Sequence, residues 1–355
     1  MEKLAFTLGR PFSPLYSLAM RARELCYQRG FFATHHMGAP VISVGNLLMG
    51  GTGKTPLVQY LARSLSQSGW KPAIISRGYG GEAQSRINIV SDGEKLLLKA
   101  NQAGDEPRFL AETLPGIPVL TGVVRRLPAR QALNMGANLL LLDDGFQHLP
   151  IKRDVDLVLF NADKLAGNSR VFPGGELREP ISALFRATAF ILTAVTRRNK
   201  ERAELFAELL QKKFPGRPVY LLSYNPSAAV QLGPDDTRQV MSLHDLPQGP
   251  AFAFCGIARP EVFFQTLRQQ GVDTVKDFPL RDHQPYSQRL ISTLINQAQS
   301  CNAHYCITTE KDLVKLGSLS ALFTIPLLAL RMEVEHSVSF NEFILNTIAQ
   351  GPLSS

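Results

Sequence analysis

The sequence predicts an α/β fold: a parallel sheet covered by helices, preceded by an amphipathic helix and followed by a second, smaller α/β domain. From residue 41 onward, short apolar runs alternate with stretches of helical periodicity. Most of these runs are apolar on both faces, as strands buried on both sides of a sheet are. Because this alternation is typical of β-α-β units, we expect parallel strands with helices packed against them.

The predicted strands form two groups, separated by the polar, Gly- and Pro-containing region 225–239. The first group has the sequences VISVG, PAIIS, INIVS, IPVLTG, NLLLLDD, VDLVLF, AFILTAV and PVYLLS. The second group has AFAFCGI, VDTVKDF, AHYCITT and IPLLALRME. We therefore predict an N-terminal amphipathic region at 1–36, a core domain at 37–224 and a smaller C-terminal α/β domain at 225–355.

The composition limits the partners and the compartment. The chain has 355 residues, of which 45% are hydrophobic, and this is enough for two cores without disulfides. The four cysteines form no C-x-x-C pair, so we expect reduced thiols and no zinc site. The net charge of +8 favours an anionic partner such as a nucleotide or a phospholipid. Since the basic residues are dispersed without aromatic interleaving, we expect no nucleic-acid binding.

The first 36 residues predict a surface-seeking helix. Within 12–32, one helical face carries Leu15, Leu18, Ala22, Leu25 and Cys26, with arginines mostly elsewhere. The segment lacks a signal-peptide cleavage site, and no run approaches the roughly 20 apolar residues of a spanning helix. The pattern by itself leaves two alternatives, a helix lying on a membrane surface and a helix packed on its own domain.

A phosphate-binding loop follows the first apolar run. The loop residues are Gly50, Gly51, Thr52, Gly53, Lys54 and Thr55, and a helical pattern begins directly after them. Glycines let backbone N–H groups turn toward phosphate oxygens, and a helix N-terminus adds its positive end. In such loops the lysine reaches the β- and γ-phosphates and the threonine hydroxyl ligates Mg²⁺. We therefore predict nucleotide binding by a P-loop NTPase-like sheet domain.

This loop departs from the usual pattern at two positions. Leu48 stands where a glycine normally precedes Gly53 by five residues. The form GGxGKT is closer to that of deviant P-loop ATPases, but Met49 stands where those proteins carry an extra lysine. The missing lysine argues against a partitioning-type ATPase that uses this residue across a dimer.

Two aspartates are the predicted metal-binding partners of the loop. Asp143 and Asp144 follow four leucines of a predicted buried strand, at the carboxyl edge where ligands bind in open α/β sheets. An Asp-Gly sequence is also a common turn, which is the alternative interpretation. Beside a phosphate-binding loop, the metal-binding interpretation is favoured.

Several motifs occur together in one order along nearly the whole chain: VGNLLMGGTGKTP, SRGYGG, GDEP, DDGFQH, FPGGELREP, FCGIARPEVF and TTEKDLVKL. This ordered set closely resembles the tetraacyldisaccharide 4'-kinases of lipid A biosynthesis. The resemblance implies an enzyme that uses ATP and Mg²⁺ to phosphorylate the 4'-hydroxyl of tetraacyldisaccharide 1-phosphate. It also implies a peripheral or monotopic protein on the cytoplasmic face of the bacterial inner membrane, with the N-terminal helix against an anionic lipid surface. We expect a monomer.

The resemblance also assigns the acceptor chemistry. It implies that Asp105 of GDEP is the base for the sugar hydroxyl, activated by a histidine of the second domain, for which His283 is the candidate. An Asp–His pair divided between two domains assembles only on closure, which discourages hydrolysis. The structural alternatives are a helix N-cap for Asp105 and an ordinary surface histidine for His283.

Further site residues come from the other motifs. By resemblance, Arg178 and Glu179 lie near the phosphates and the metal, where a guanidinium offsets charge on the transferred group. A pair of this type can also simply begin a helix. Arg77 and Arg125 are candidate contacts to the substrate's 1-phosphate or to the nucleotide, whereas Gln147 and His148 are candidates for groups around the metal.

Two other functions are alternatives to the kinase. A P-loop GTPase of the metal-insertion class shares a related core, but the chain has no His-rich tract and no clear N-K-x-D signature. A membrane-docked regulatory ATPase is the second alternative. Met49 and the separate motifs of Asp105 and His283 count against it.

Overall fold

The computed structural model describes residues 2–232, 237–282 and 284–350. The chain divides into two compact units. Unit 1 comprises residues 1–224 and 334–355, and unit 2 comprises residues 225–333. Residues 334–355, predicted to belong to the second domain, thus belong to unit 1.

Unit 1 is built on an eight-stranded sheet with the order β3-β4-β2-β5-β1-β6-β7-β8. All neighbouring pairs are parallel except β3 with β4. The strands match the eight apolar runs read from the sequence, and they are β1 Val41–Asn46, β2 Pro72–Ser76, β3 Asn88–Ser91, β4 Val119–Thr121, β5 Leu139–Asp143, β6 Val155–Asn161, β7 Ala189–Thr193 and β8 Val219–Leu221.

The helices of unit 1 flank this sheet. Those that precede unit 2 in the chain are α1 Glu2–Gly9, α2 Ser13–Gln28, α3 Lys54–Gln67, α4 Ala100–Ala103, α5 Asp105–Thr113, α6 Arg126–Asn134 and α7 Lys200–Lys213. Every residue of β1, β5, β6 and β7 is buried, which explains why these strands read as continuous apolar runs. The mainly parallel α/β architecture predicted from the sequence is confirmed.

Unit 2 has a six-stranded sheet with the order β10-β9-β14-β13-β11-β12. Its strands are β9 Tyr224–Leu232, β10 Arg238–Met241, β11 Ala251–Cys255, β12 Thr274–Pro279, β13 Tyr305–Thr309 and β14 Leu327–Val334, and its helices are α8 Pro260–Gln269, α9 Gln288–Ser300 and α10 Glu310–Leu316. The antiparallel pair β9–β10 was not predicted. It lies at the sheet edge and is partly exposed, so its sequence is polar and lacks a buried strand's apolar run.

The last helix, α11 Val338–Ala349, packs into the core of unit 1. Phe340, Ile344 and Ile348 are at most 4% exposed and share an apolar cluster with Leu57 of α3 and Ile42 of β1. Tyr60 adds a polar contact, since its hydroxyl donates to Asn341 Oδ1 at 2.9 Å. This apolar face is the physical reason why the end of the chain belongs with the large sheet.

Helix α2 makes polar contacts with the rest of unit 1, while several of its apolar side chains stay exposed. No residue of α2 is buried. Ser13 Oγ donates to Val171 O at 2.8 Å, and Tyr16 Oη donates to Arg178 O at 3.1 Å. Exposed apolar side chains follow the same segment: Leu8, Phe12, Leu15, Leu18, Leu25, Phe31 and Phe32. Among the described residues, no helix combines the length and the apolar character needed to cross a bilayer.

Candidate active site

The order of the strands gathers the predicted site residues at one edge of the large sheet. Strand β1 lies between β5 and β6, and β2 lies beside β5, all four parallel. The segments that leave the carboxyl ends of these strands therefore meet at one edge. They carry the phosphate loop after β1, Arg77 after β2 and the two aspartates at the end of β5.

The phosphate loop adopts a conformation that requires glycine. Gly50 and Gly53 have φ values of 106° and 78°, in the left-handed region. A Cβ on Gly53 would also come within 2.3 Å of the Tyr224 hydroxyl oxygen. This hydroxyl donates to Gly53 O at 2.8 Å, and Thr193 Oγ1 donates to Thr52 O at 2.7 Å. Hydrogen bonds from these two hydroxyl groups thus hold the carbonyls of Thr52 and Gly53 in place.

Leu48 departs from the usual glycine because its side chain is part of a core. It is 2% exposed and packs in the cluster that contains Phe146 and Leu177. The backbone pairs with the segment before Arg178: Leu48 bridges Leu177, and Arg178 N donates to Leu47 O at 2.8 Å. The start of the loop is therefore fixed to the segment that carries Arg178.

Lys54, Asp144 and Arg178 form a connected charge cluster. Lys54 Nζ lies 3.2 Å from Asn46 Oδ1 and 3.4 Å from Asp144 Oδ1. Arg178 NH1 contacts both carboxylate oxygens of Asp144, at 3.0 and 2.9 Å. Two cations thus converge on one carboxylate beside the phosphate loop. Burial acts to raise the pKa of Asp144, but Lys54 and Arg178 outweigh it, so its pKa is lowered and the group stays ionised.

Asp143, directly before it, has the opposite electrostatic character. Its side chain is buried, and Oδ2 accepts from Ser76 Oγ at 3.2 Å. Oδ1 has no hydrogen-bond partner within the described part of the chain. Burial, followed by the charges of Glu106 and Asp144, raises the pKa of Asp143 to about 6. A buried carboxylate oxygen without a donor is a suitable ligand for a cation.

Arg125 and His148 lie close to the two aspartates. Arg125 is the N-cap residue of α6 and is 4% exposed, and its NH1 has no partner among the residues that the structure describes. Burial lowers its pKa, while the charges of Asp143 and Asp144 act to raise it. The pKa of His148 is lowered to about 3, first by burial and then by Arg125 and other arginines. His148 is therefore a neutral imidazole near pH 7.

The predicted base, Asp105, is the first residue of α5 and is half-buried. The N-cap of this helix is Gly104, which makes no side-chain capping bond. The alternative interpretation of Asp105 as the N-cap is therefore wrong. Glu106 follows and acts on the pKa of Asp143, which places the start of α5 near the carboxylates. His283 lies outside the described residues.

Glu179, predicted to be a metal ligand, is engaged by arginines in this structure. Its buried carboxylate bonds to Arg186, and Arg23 NH1 lies 3.8 Å away. Arg186 also pairs with Glu24 of α2 at 2.9 Å. The contacts connect the N-terminal helix to the segment of Arg178. The metal-binding role of Glu179 remains a prediction.

The remaining predicted contacts fall on the same edge. Gln147 Nε2 donates to Asn46 O at 3.0 Å, and Gln147 O accepts from Arg23 NH2 at 3.2 Å. Arg77 is exposed, and its charge helps to lower the pKa of Arg125 and His148. Gln147 thus braces the end of β1, whereas Arg77 has its charge available for a ligand.

In residues 2–232, 237–282 and 284–350, no group of three or more His, Cys, Asp or Glu side chains forms a complete metal cage. Magnesium does not require one, since it is usually held by one or two carboxylates together with substrate phosphates and water. The unpartnered Oδ1 of Asp143 and the partly exposed carboxylate of Asp144 are donors of that type, whereas the role of the Thr55 hydroxyl remains a prediction. These residues fit a magnesium ion bound together with a nucleotide.

Sequence reasoning missed several residues that hold this site together. Asn46 could have been found, because it is a polar residue at the end of a buried strand directly before the loop. Ser76 occupies the corresponding position of β2. Tyr224 and Thr193 carried no local signal, since they reach the loop from 171 and 141 positions away in the chain.

The parallel sheet, the glycine loop opening α3 and the cluster of Lys54, Asp144 and Arg178 define a P-loop kinase fold. A family model described as tetraacyldisaccharide-1-P 4'-kinase matches residues 5–349. The chain belongs to this family, and it is a kinase.

Relatives with this activity in their names align with nearly the full length of the chain. A tetraacyldisaccharide 4'-kinase of Desulfotalea psychrophila is 44% identical, covering 98% of each chain. One from Syntrophus aciditrophicus is 36% identical, covering 96% of this chain and 92% of that protein. The crystal structure of "apo" form LpxK from Aquifex aeolicus in complex with ATP has a TM-score of 0.77 and 28% identity, with coverage of 98% and 100%.

Proposed function

We propose that this chain transfers the γ-phosphate of ATP to the 4'-hydroxyl of tetraacyldisaccharide 1-phosphate, a step of lipid A biosynthesis. The observation that carries the proposal is the convergence of Lys54 and Arg178 on Asp144 beside the phosphate loop. Family membership supplies the acceptor. In the reaction, a bond forms between the 4'-oxygen and the γ-phosphorus, and the bond from that phosphorus to the β–γ bridging oxygen breaks.

The loop and its cations would bind the phosphates and balance their charge. Phosphoryl transfer needs little covalent chemistry from the protein, and positioning and electrostatics supply most of the rate. Backbone N–H groups of 50–55 would face the phosphates, and the ammonium of Lys54 would turn from Asp144 toward the β- and γ-oxygens. Arg178, held by Asp144, offsets charge on the transferred group.

Thr55, Asp143 and Asp144 would hold Mg²⁺. When bound, the ion would neutralise negative charge on the phosphates of the nucleotide. The raised pKa of Asp143 follows first from burial and then from neighbouring carboxylates, and a cation would favour its ionised form.

Asp105 is the proposed base and His283 the proposed group that activates it. A sugar hydroxyl is a weak nucleophile at neutral pH, so a carboxylate at the start of α5 would take its proton as the new bond forms. Arg77 is exposed at the same edge and is the proposed contact to an anionic group of the lipid. Arg125 is buried, and its proposed role is at the phosphates and carboxylates.

The N-terminal segment is the proposed membrane contact, which would make this a peripheral protein on the cytoplasmic face of the inner membrane. Its exposed apolar side chains include Leu15 and Leu18, at 69% and 64% exposure. Arg10, Arg21 and Arg29 are exposed in the same segment and suit anionic lipid headgroups. An acceptor with four acyl chains stays in the bilayer, so an enzyme that phosphorylates it must dock there.

The activity is tested with radiolabelled ATP, Mg²⁺ and tetraacyldisaccharide 1-phosphate in detergent micelles. We expect label to reach the lipid with the wild-type protein. Lys54→Ala and Asp105→Asn should each lose about 10²- to 10⁴-fold in rate. An ATP-binding wild-type protein that transfers no label would refute the kinase. Full activity of Asp105→Asn would refute only the assignment of Asp105 as the base and would leave the kinase activity established.

The membrane contact is tested by flotation with vesicles containing phosphatidylglycerol. Leu15→Gln with Leu18→Gln should reduce the bound fraction severalfold, because the pair removes apolar surface from the docking face. The matched control is Leu205→Gln with Leu209→Gln, since these leucines of α7 are also exposed, at 60% and 56%. Equal binding by the two double variants would contradict the assignment.

A further inference from the structure

The segment after β6 lies over the phosphate loop because β6 and β1 are neighbouring parallel strands. Lys164 is in this segment, three residues beyond the end of β6. Its Nζ lies 4.0 Å from the position that a Cβ on Gly50 would occupy. The ammonium group thus lies beside the first glycine of the loop, although 114 residues separate the two in the chain.

The backbone around Lys164 is held in place by hydrogen bonds. Lys164 N and Leu165 N both donate to Asn161 O, at 3.0 and 2.7 Å. Asp163 N donates to Asn161 Oδ1 at 3.0 Å, and Asp163 Oδ1 accepts from Asn199 Nδ2 at 2.7 Å. These hydrogen bonds fix the backbone of the turn at Lys164. The four-carbon side chain of Lys164 is exposed and can move toward a ligand.

The charge of Lys164 is available in a way that the charge of Lys54 is not. Lys54 contacts both Asn46 and Asp144. Within residues 2–232, 237–282 and 284–350, no ion pair joins Lys164 to a carboxylate. A loop that binds a triphosphate gathers several negative charges around Gly50, and an ammonium group at this distance is attracted to them.

The sequence of the loop indicates what Lys164 contributes. Met49 occupies the position at which deviant P-loops carry an additional lysine, so the loop itself supplies only Lys54 as a cation. We propose that Lys164 is a further phosphate-binding cation of this kinase, reaching from the segment after β6 to the β- and γ-phosphate oxygens of the bound nucleotide. The inference rests on the proposed function, since it assumes that this loop holds ATP.

The test measures nucleotide affinity and steady-state kinetics separately. For Lys164→Met, which keeps the apolar stem, we expect the Kd for ATP, from calorimetric titration with Mg²⁺, to rise about tenfold. The kcat/KM for ATP should fall about 10- to 100-fold. Lys164→Arg should retain most of the affinity for ATP and most of the kcat/KM, because a guanidinium also binds phosphate. In a competition assay with a fluorescent ATP, displacement by AMP should change less than twofold, since AMP lacks the β- and γ-phosphates.

Lys71→Met is the matched control. Lys71 is also exposed, but it directly precedes β2 and so lies at the opposite edge of the same sheet. If Lys164→Met resembled Lys71→Met in Kd and kcat/KM, the proposal would be wrong. Equal weakening of ATP and AMP, or a lowered melting temperature with no rescue by Lys164→Arg, would show a structural role and overturn it too. Transfer by wild type and its loss in Lys54→Ala establish the kinase independently of Lys164.

Discussion

Two carboxylate clusters follow buried strands in this chain, one in each unit, and their surroundings differ. In unit 1, Asp144 follows β5 with its side chain 34% exposed, and the adjacent Asp143 has an oxygen without a donor. In unit 2, Glu310 and Asp312 follow β13 and are 5% and 0% exposed. The same type of side chain at the same point of an α/β unit is thus open in one case and enclosed in the other.

The contacts of the second cluster explain its role. Asp312 Oδ2 accepts from Gly256 N at 3.0 Å and from Thr309 Oγ1 at 2.7 Å, which ties the start of α10 to the end of β11. Glu310 accepts from Arg331 and Arg238, at 2.9 and 3.2 Å. Both carboxylates accept from donors of the protein itself and are closed to solvent, although Asp312 Oδ1, like Asp143 Oδ1, has no hydrogen-bond partner among the described residues. The difference teaches that an acidic residue at a strand end indicates a ligand site only where the carboxylate, after its contacts with the protein, remains accessible to solvent.

The largest effect should come from Asp144→Asn in the open cluster. The change removes the charge that orients Lys54 and Arg178, so we expect kcat to fall about 10³-fold. Because the side chain is partly exposed, the free energy of unfolding should change by less than about 1 kcal/mol. Transfer assays and urea unfolding at pH 7 measure the two quantities. If the free energy of unfolding fell by several kcal/mol together with kcat, Asp144 would have a structural role like that of the carboxylates in unit 2, and the proposed difference between the two clusters would be wrong.

Asp312→Ala should show the reverse pattern. Removing the carboxylate leaves Gly256 N and the Thr309 hydroxyl without their acceptor inside unit 2, so the free energy of unfolding should fall by about 2–4 kcal/mol. Chemical unfolding of the full chain measures it. Asp312→Asn is the milder comparison because it keeps one acceptor oxygen. Unchanged stability in Asp312→Ala would contradict the structural role.

The lowered pKa of His148, beside the open cluster, makes the free energy of unfolding depend on pH. Its pKa is lowered to about 3 in the folded chain, first by burial, against an ordinary 6.5. Between these values the unfolded chain binds a proton that the folded chain does not, so this contribution to stability is lost as pH falls. At pH 5 the loss is about 2 kcal/mol. In His148→Gln, the drop in unfolding free energy from pH 7 to 5 should be smaller by that amount.

The control for this prediction is His244→Gln, which replaces an exposed histidine. Urea titrations at the two pH values give the differences directly. If both variants kept the wild-type pH dependence, the lowered pKa of His148 would be disproved.

The smallest effect should come from an ion pair that belongs to neither cluster. Lys200 Nζ lies 3.8 Å from Glu204 on the surface of α7, with side chains 65% and 52% exposed. Solvent screens such a pair, so Lys200→Ala should change the unfolding free energy by less than about 0.5 kcal/mol. A larger change in thermal unfolding would show that exposed charges weigh as much as the enclosed carboxylates.

Much of the fold and part of the candidate site could be predicted because their signals are local. Buried strands such as β5 and β6 need apolar residues at every position, so they stand out as continuous runs. The glycines of 50–53 show where the backbone must turn tightly, and Asp143 and Asp144 mark a strand end. The edge hairpin β9–β10 was missed because its exposed residues are free to be polar.

The sequence by itself therefore determined the α/β class, the phosphate loop and the family, since each depends on residues close together in the chain or on motifs in a fixed order. Only the tertiary structure decided that Tyr224 anchors Gly53, that Lys164 lies beside Gly50 and that α11 returns to the large sheet. These contacts join residues more than 100 positions apart. They follow from the order of strands in the sheet and from which apolar faces pack together, and neither is encoded in any short segment.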